Sequence, residues 1–246
     1  MRVVTWNLGW RFGEWEPRQP AIDATLAATD ADVIAVQETW PEQLARLADR
    51  LELHWAFSGR QPSETVEHGF GNGILSRQPI AHQAEIMLPA LEGPAYRSAL
   101  LVRTAPDEDE PSFTAVTTHL THRRHETPTR LVQLDALRAF IDDNGAETGA
   151  LVLLGDLNAT PDSEEIRGLR DGWTDCWAEC GDGDGWTWAS ANPLAAHARW
   201  PNRRLDYVLM RSESTRQPIT ARLVGICPIG GSMPSDHYGV LVELTD

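Results

Sequence analysis

The chain has no lysine: all 21 of its basic residues are arginine, set against 36 Asp and Glu, for a formal net charge of −15. Uniform arginine reads as codon bias across a proteome, although the planar guanidinium also suits phosphate. A surface this acidic repels nucleic acid at long range unless basic groups are concentrated in one place, so non-specific binding along DNA is disfavoured. Cysteine is scarce. Cys176, Cys180 and Cys227 are odd in number and lack Cys-x-x-Cys spacing, so neither a disulfide framework nor a zinc knuckle is indicated. No run approaches the length of a membrane span, and the opening residues lack the apolar stretch and cleavage site of a signal peptide. A cytoplasmic monomer is the expectation. No Gly/Ser-rich or Pro-rich linker interrupts the pattern, and the acidic stretch 105–111 is too short to act as a linker between domains. Residues 1–246 therefore read as one domain.

At 246 residues and 41% hydrophobic content, the chain has enough apolar material for a sizeable core. Its apolar runs are four or five residues long, bounded by turn residues, and alternate with amphipathic stretches, as in sheets covered by helices. Residues 2–6, 32–36 and 150–154 are the clearest buried strands. Helical spacing marks residues 20–28 and a second stretch from Pro41, with Leu44, Leu47 and Leu51 on one face. Thr127-Pro128 and Thr160-Pro161 each read as an N-cap followed by proline in the first helical turn. The first opens a helix whose apolar face is Leu131, Leu134, Leu137 and Ile141. Further strands are expected at 73–76, 98–103, 112–119, 205–210, 220–226 and 238–244. This order fits a layered α/β sandwich with parallel pairing at least near the N-terminus, and in such sheets ligands gather at the carboxyl ends of strands.

Polar groups stand where these strands stop: Asn7 after 3–6, Glu38 after 33–36, and Asp156 with Asn158 after 151–154. One such residue alone is ordinarily a cap or turn former; repetition at three strand ends argues for a site. Asp206 lies within an apolar-flanked strand, and the Asp236-His237 pair precedes the last one. Neighbouring side chains on extended chain face opposite ways, so Asp236 would face a metal while His237 takes its orienting carboxylate from elsewhere, with Asp206 the candidate. The same alternation places Asp156 and Asn158 on one side. Four carboxylates converging on one edge repel by a few kcal/mol per close pair, at an effective dielectric of about 20 and separations of roughly 4 to 5 Å. A cation is needed among them. Oxygen ligands without Cys favour a hard ion, Mg²⁺ or Mn²⁺.

The segments Thr5-Trp6-Asn7, Gln37-Glu38, Thr118-His119-Leu120, Gly155-Asp156-Leu157-Asn158, Leu205-Asp206-Tyr207 and Ser235-Asp236-His237 together resemble the endonuclease/exonuclease/phosphatase superfamily. They occur in that family's order and span residues 5–237. The superfamily includes DNase-I-like nucleases, apurinic endonucleases, sphingomyelinases, inositol polyphosphate phosphatases, deadenylases and tyrosyl-DNA phosphodiesterases. The resemblance implies a DNase-I-like four-layered α/β sandwich: two packed mixed sheets flanked by helices. It implies that Asn7, Glu38 and Asp236 hold the metal, that Asp156 orients or deprotonates the attacking water, and that Asn158 binds a phosphoryl oxygen. His237, held by Asp206, would stabilise the transition state, with His119 facing the phosphate or leaving group. Asn72 and Arg97 look like auxiliary phosphate-binding residues. The presence of His119 argues against the apurinic branch, and the pattern looks most like the tyrosyl-DNA phosphodiesterase or small bacterial branches.

The expectation is a metal-dependent phosphoesterase acting on a compact phosphate ester or a nucleic-acid end. The alternatives are an endo- or exonuclease and an inactive binding module of the same fold. His119, His122 and His125, spaced by three, lack the thiolates or carboxylates that close a zinc site. Arg123, Arg124, Arg203 and Arg204 are candidates for a phosphate-facing rim. Most of the ten tryptophans, including Trp55 and Trp173, read as core or half-buried, while Trp186, Trp188 and Trp200 are candidates for the substrate mouth.

Overall fold

The computed structural model describes residues 1–60, 68–106, 111–123, 125–145, 150–214 and 216–245; most of the acidic stretch and Arg124 lie outside them. In chain order the elements are β1 (Arg2–Asn7), α1 (Gln19–Ala27), β2 (Val33–Thr39), α2 (Pro41–Leu51), β3 (His54–Arg60), β4 (Phe70–Ser76), β5 (Ile80–Leu88) and β6 (Arg97–Thr104). They continue as β7 (Phe113–His119), α3 (Thr127–Asn144), β8 (Ala150–Asp156), α4 (Glu164–Leu169), β9 (Trp173–Asp175), α5 (Cys176–Cys180), β10 (Asp206–Arg211), β11 (Pro218–Val224) and β12 (Gly239–Leu244). They form two mixed six-stranded sheets, ordered β11-β12-β1-β2-β4-β3 and β5-β6-β7-β8-β10-β9.

Pleat alternation divides each central strand between two cores. Val3, Ala35, Val102, Ala115, Val152, Leu154, Val208 and Val242 meet in the interior between the sheets. The intervening residues face outward. Val4, Trp6, Ile34 and Leu75 pack beneath Ile22 and Leu26 of α1 and Leu44 and Leu47 of α2. Leu101, Leu151, Leu153 and Leu209 pack beneath Leu134, Leu137 and Phe140 of α3 and Ile166 of α4. The result is the expected four-layered α/β sandwich, and burial on both faces explains why the central strands read as continuous apolar runs.

Each sheet contains one parallel pair, β1 with β2 and β7 with β8, and these pairs set the site. Asn7 is in register with Gln37, one residue before Glu38. His119 is in register with Asp156, which is itself in register with Asp206 on antiparallel β10. Gln37 ties the sheets together beneath this edge, its amide nitrogen donating to the hydroxyls of Thr5 and Thr117 at 3.1 and 3.0 Å.

Several local expectations are corrected. Thr127 is the first residue of α3 rather than its cap, with Glu126 in the cap position and no side-chain capping bond there. The helix expected at Thr160-Pro161 begins later, at Glu164, where the Ser163 hydroxyl accepts from the Ile166 amide. On α3, Leu131 is only half-buried, and Phe140 completes the apolar face. Trp55 is 40% exposed rather than buried. Strands β3, β5 and β9 were not expected.

Candidate active site

Asn7 and Glu38 close the first sheet's parallel pair and reach the site by different backbone routes. Asn7 continues β1, its side-chain Oδ1 accepting from the Gly9 amide and its Nδ2 donating to Asp156 Oδ2 at 3.0 Å. Glu38 sits where the register with β4 shifts, in the left-handed region at φ 52°, so it lies in a bulge within β2 rather than beyond it. That bulge re-aims its side chain. Burial raises the Glu38 carboxyl to about 7, and the nearby Asp236 charge pushes the same way.

Asp156 is buried at the centre. Its Oδ2 accepts from Asn7, and its Oδ1 accepts from the Asn158 amide at 3.0 Å. Asn158 shares its side through that turn rather than through pleat alternation, because β8 has ended and Asn158 has φ 51°. The Asn158 Nδ2 donates to the Leu120 carbonyl, leaving its second N–H. Burial raises the Asp156 carboxyl to about 6, and Asp206 adds to the effect.

Two histidines flank Asp156 in opposite protonation states. His237 Nδ1 lies 2.8 Å from Asp206 Oδ2, and its Nε2 lies 3.8 Å from Asp156 Oδ2. Burial opposes its charge, but Asp206 and Asp156 outweigh burial and raise His237 to about 10, so both ring nitrogens carry protons at neutral pH. Trp188 packs edge-on against the ring at 5.1 Å. His119 is held well below its usual value by burial and by Arg97. Because a guanidinium only donates, Arg97 Nη1 at 2.9 Å fixes His119 Nδ1 as the acceptor. The proton is then on Nε2, 3.4 Å from Asp156 Oδ2. Arg97 Nη2 makes a similar contact with His122 Nδ1 at 3.2 Å, so these histidines surround an arginine rather than a zinc ion.

Of the remaining candidates, Asp236 is half-buried, its Oδ1 accepting from the Ser235 hydroxyl. Asn72 is buried and donates to both the carbonyl and the hydroxyl of Ser98. Arg204 is withdrawn from the proposed rim: it is buried in a two-pronged pair with Asp175 at 2.6 and 2.7 Å. Arg123 is exposed beside Glu126, and Arg203 stacks over Trp200 at 4.7 Å.

The sequence reading missed Arg18. This buried side chain donates to the carbonyls of Leu8, Gly9, Trp10, Phe12 and Pro234, tying the loop after Asn7 to the loop before Asp236. Its position on a helix junction eleven residues after Asn7 offers no sequence signal. Gly9 is needed at that closure. At φ 66°, a Cβ there would stand 2.9 Å from Asp236 Oδ1 and 3.1 Å from Arg18 Nη1.

Asp156, Asp206 and His237 bring ligand-type atoms within 4.8 Å of one another. Their proton-mediated pairing accounts for that cluster without an ion. Asn7, Glu38 and Asp236 instead present oxygen groups, with two carboxylates in mutual repulsion and Arg18 committed to carbonyls. That donor set fits a hard divalent cation.

A family model described as the Endonuclease/Exonuclease/phosphatase family matches residues 4–237. The chain belongs to this family. Members are hydrolases acting on phosphate esters, typically dependent on a divalent metal. D. rerio TDP2 complexed with single-strand DNA product is similar with a TM-score of 0.82 and 19% identity, covering 100% of this chain and 99% of that one. The Bacteroides thetaiotaomicron mannosyl-6-phosphatase has a TM-score of 0.78 at 15% identity, with complete coverage of both chains. A functionally unknown conserved protein from Enterococcus faecalis has a TM-score of 0.79 at 18% identity, covering 100% and 99%. No curated protein sequence matches. Among the described residues, no helix is long and apolar enough to cross a membrane.

Proposed function

We propose that the chain is one catalytic domain that hydrolyses a phosphate mono- or diester by in-line attack of water, with Mg²⁺ or Mn²⁺ held by Asn7, Glu38 and Asp236. The observation carrying this reading is the Glu38–Asp236 carboxylate pair beside an Asp156–His237–Asp206 chain at one edge of both sheets. When bound, the ion supplies positive charge that neutralises the carboxylates and polarises the phosphoryl oxygens.

Asp156 orients the attacking water and takes its proton. Its raised carboxyl is closer to neutrality than an ordinary aspartate, which suits a general base. His237, protonated and aimed by Asp206, donates from Nε2 to charge developing on the phosphoryl group, a hydrogen bond that strengthens in the transition state. The remaining Asn158 N–H binds a second phosphoryl oxygen, and neutral His119 offers an Nε2–H on the leaving-group side. Arg97, which donates to His119, and Asn72, which braces Ser98, serve as auxiliary groups on the phosphate side of the site. Attack occurs in one displacement and needs no covalent intermediate.

The test is a metal-supplemented screen of single-stranded and duplex DNA, RNA, sugar phosphates, inositol phosphates and a phospholipid. Chelator-sensitive hydrolysis of at least one ester is expected; hydrolysis undiminished in excess chelator would refute the metal mechanism. A strand end is the second substrate considered, since Trp186 and Trp200, 42% and 38% exposed, can stack on a base.

A further inference from the structure

A groove of about 840 Å³ opens beside the candidate site, with Gly9 and Asp236 on its lining. Three separate loops wall it, and each is held in place. The first carries Phe12 and is stapled through Arg18. The second carries Leu194; Asn192 fixes it by donating to the Ser235 carbonyl at 2.9 Å and accepting from the Leu194 amide at 3.0 Å. The third runs from Ile226 to Met233 through a two-residue hairpin, where Ile229 and Ser232 exchange backbone bonds across Gly230 and Gly231, both at positive φ. That geometry is a type I′ turn.

Its lining combines apolar side chains with acidic and small polar groups. Phe12 and Ile226 expose 59% and 50% of their surfaces to it or to the solvent at its mouth, and half-buried Leu194 adds further apolar surface. The charged side chains on the lining are Glu14, Asp236 and Arg18, and Arg18 commits its Nη groups to five carbonyls. Among the described residues, no uncommitted cation lines it. A second phosphate or a nucleic-acid backbone entering here would meet carboxylates and apolar surface, without the basic groups that anions require.

Resting on the phosphoesterase reading above, we propose that this groove receives the organic portion of the substrate, and that this portion is an uncharged apolar alkyl or aryl group. Continuity decides the occupant. Asp236, one of the proposed metal ligands, also lines the groove, so a phosphoryl group placed at the carboxylates can direct one ester substituent into it. The volume lies in the range of small-molecule sites and is far larger than a methyl ester fills.

The test uses alkylphosphonates from methyl to octyl, titrated calorimetrically into the full chain with Mn²⁺ present, alongside an octane bisphosphonate. Hydrolysis of bis(p-nitrophenyl) phosphate is assayed separately with and without chelator. Each added methylene is expected to tighten binding by about two- to fourfold until the groove is filled. The bisphosphonate is expected to bind more weakly than octylphosphonate. Ile226→Asp and Phe12→Ser alter exposed positions, so they should keep the fold; they are expected to flatten the chain-length dependence and leave methylphosphonate affinity unchanged. A wild-type protein that hydrolyses the diester in a chelator-sensitive way but binds all chain lengths equally, or prefers the bisphosphonate, overturns the groove assignment alone. Absence of chelator-sensitive hydrolysis from this assay and from the ester screen overturns the underlying phosphoesterase reading, and the substrate class with it.

Discussion

His237 Nδ1 lies 2.8 Å from Asp206 Oδ2, and both side chains are buried. The bond fixes which ring nitrogen faces Asp156, and the Asp206 charge helps raise His237 to about 10. Asp206→Asn removes the charge while nearly preserving shape. Turnover is expected to fall at least about a hundredfold, as for loss of a positioned transition-state donor. The basic limb of the rate profile should also move to lower pH, because the imidazolium loses a stabilising carboxylate. Near-normal turnover with an unmoved limb would show that the pair is only structural. His237→Ala is expected to cost a comparable factor with the melting transition retained.

Glu38 gives the metal reading a pH signature. Its carboxyl is raised to about 7 by burial and by Asp236, so in metal-free protein it takes up a proton as pH falls through that value. Cation and proton compete for it. The Mn²⁺ concentration giving half-maximal thermal stabilisation should therefore rise below about pH 7, by up to about tenfold per unit. Glu38→Gln should weaken Mn²⁺ binding and abolish most of that pH dependence. Equal Mn²⁺ stabilisation of the variant and the wild type would remove Glu38 from the ligand set.

Arg18 is expected to act on the same binding through the backbone. Its bonds to five carbonyls join the segments that carry Asn7 and Asp236. Arg18→Met leaves buried carbonyls without their donor and should destabilise the fold by about 3 kcal/mol or more. It should also weaken Mn²⁺ binding by about tenfold or more in protein that remains folded, measured by calorimetry below the melting transition. Arg18→Lys can restore some of these contacts and should recover some of the affinity. A variant that melts early yet binds Mn²⁺ as tightly as wild type would confine Arg18 to stability.

Away from the site, Arg130 on α3 and Glu165 on α4 form a buried pair at 2.7 Å. Burial raises the Glu165 carboxyl, but bonds from backbone, Arg130 and Thr127 outweigh it, and the folded value is lowered. A lowered folded value means that this stabilisation is present above the unfolded carboxyl value of about 4.3 and is lost as pH falls through the folded one. Glu165→Ala, which leaves the guanidinium unpaired by this carboxylate, should cost about 3 to 5 kcal/mol at neutral pH. The gap to wild type should narrow in acid, as followed by denaturant melts between pH about 7 and 3. A gap independent of pH would assign the cost to packing alone.

The sequence revealed the central strands because both of their faces are buried, and it revealed which side chains share an edge because parallel register aligns strand ends. Asn7, Glu38 and Asp156 were legible as strand-end residues, Asp206 as an in-strand carboxylate needing a partner, and His119 only through the family resemblance. Of the four edge strands, β11 was legible but β3, β5 and β9 were not. In β5, His82, Gln83 and Glu85 replace the apolar run because much of that strand faces solvent. Arg18 and the Arg204–Asp175 pair were hidden for another reason: their partners are backbone carbonyls or a residue 29 positions away, and arginine spacing carries no mark of either.

The engagement of these arginines bears on nucleic-acid binding. A protein that tracks DNA neutralises several phosphates, and its log affinity falls by about 0.9 per contact for each unit of log salt. Here the net charge is −15 and no lysine is present. Arg97 is engaged by His119 and His122, Arg204 by Asp175, and Arg18 by carbonyls. Arg123, exposed but paired with Glu126, and half-buried Arg203, stacked over Trp200, could reach at most one or two phosphates. Labelled duplex titrated with Asp156→Asn protein across a salt series should therefore bind weakly, with a log–log slope of about −2 or shallower. The same variant should bind a short single strand carrying a terminal phosphate no more steeply, because such a ligand presents one phosphoryl group to the site. A slope near about −6 with tight duplex binding at physiological salt would mean that groups beyond this edge contact the backbone, and would make a DNA-tracking nuclease the better description of the enzyme.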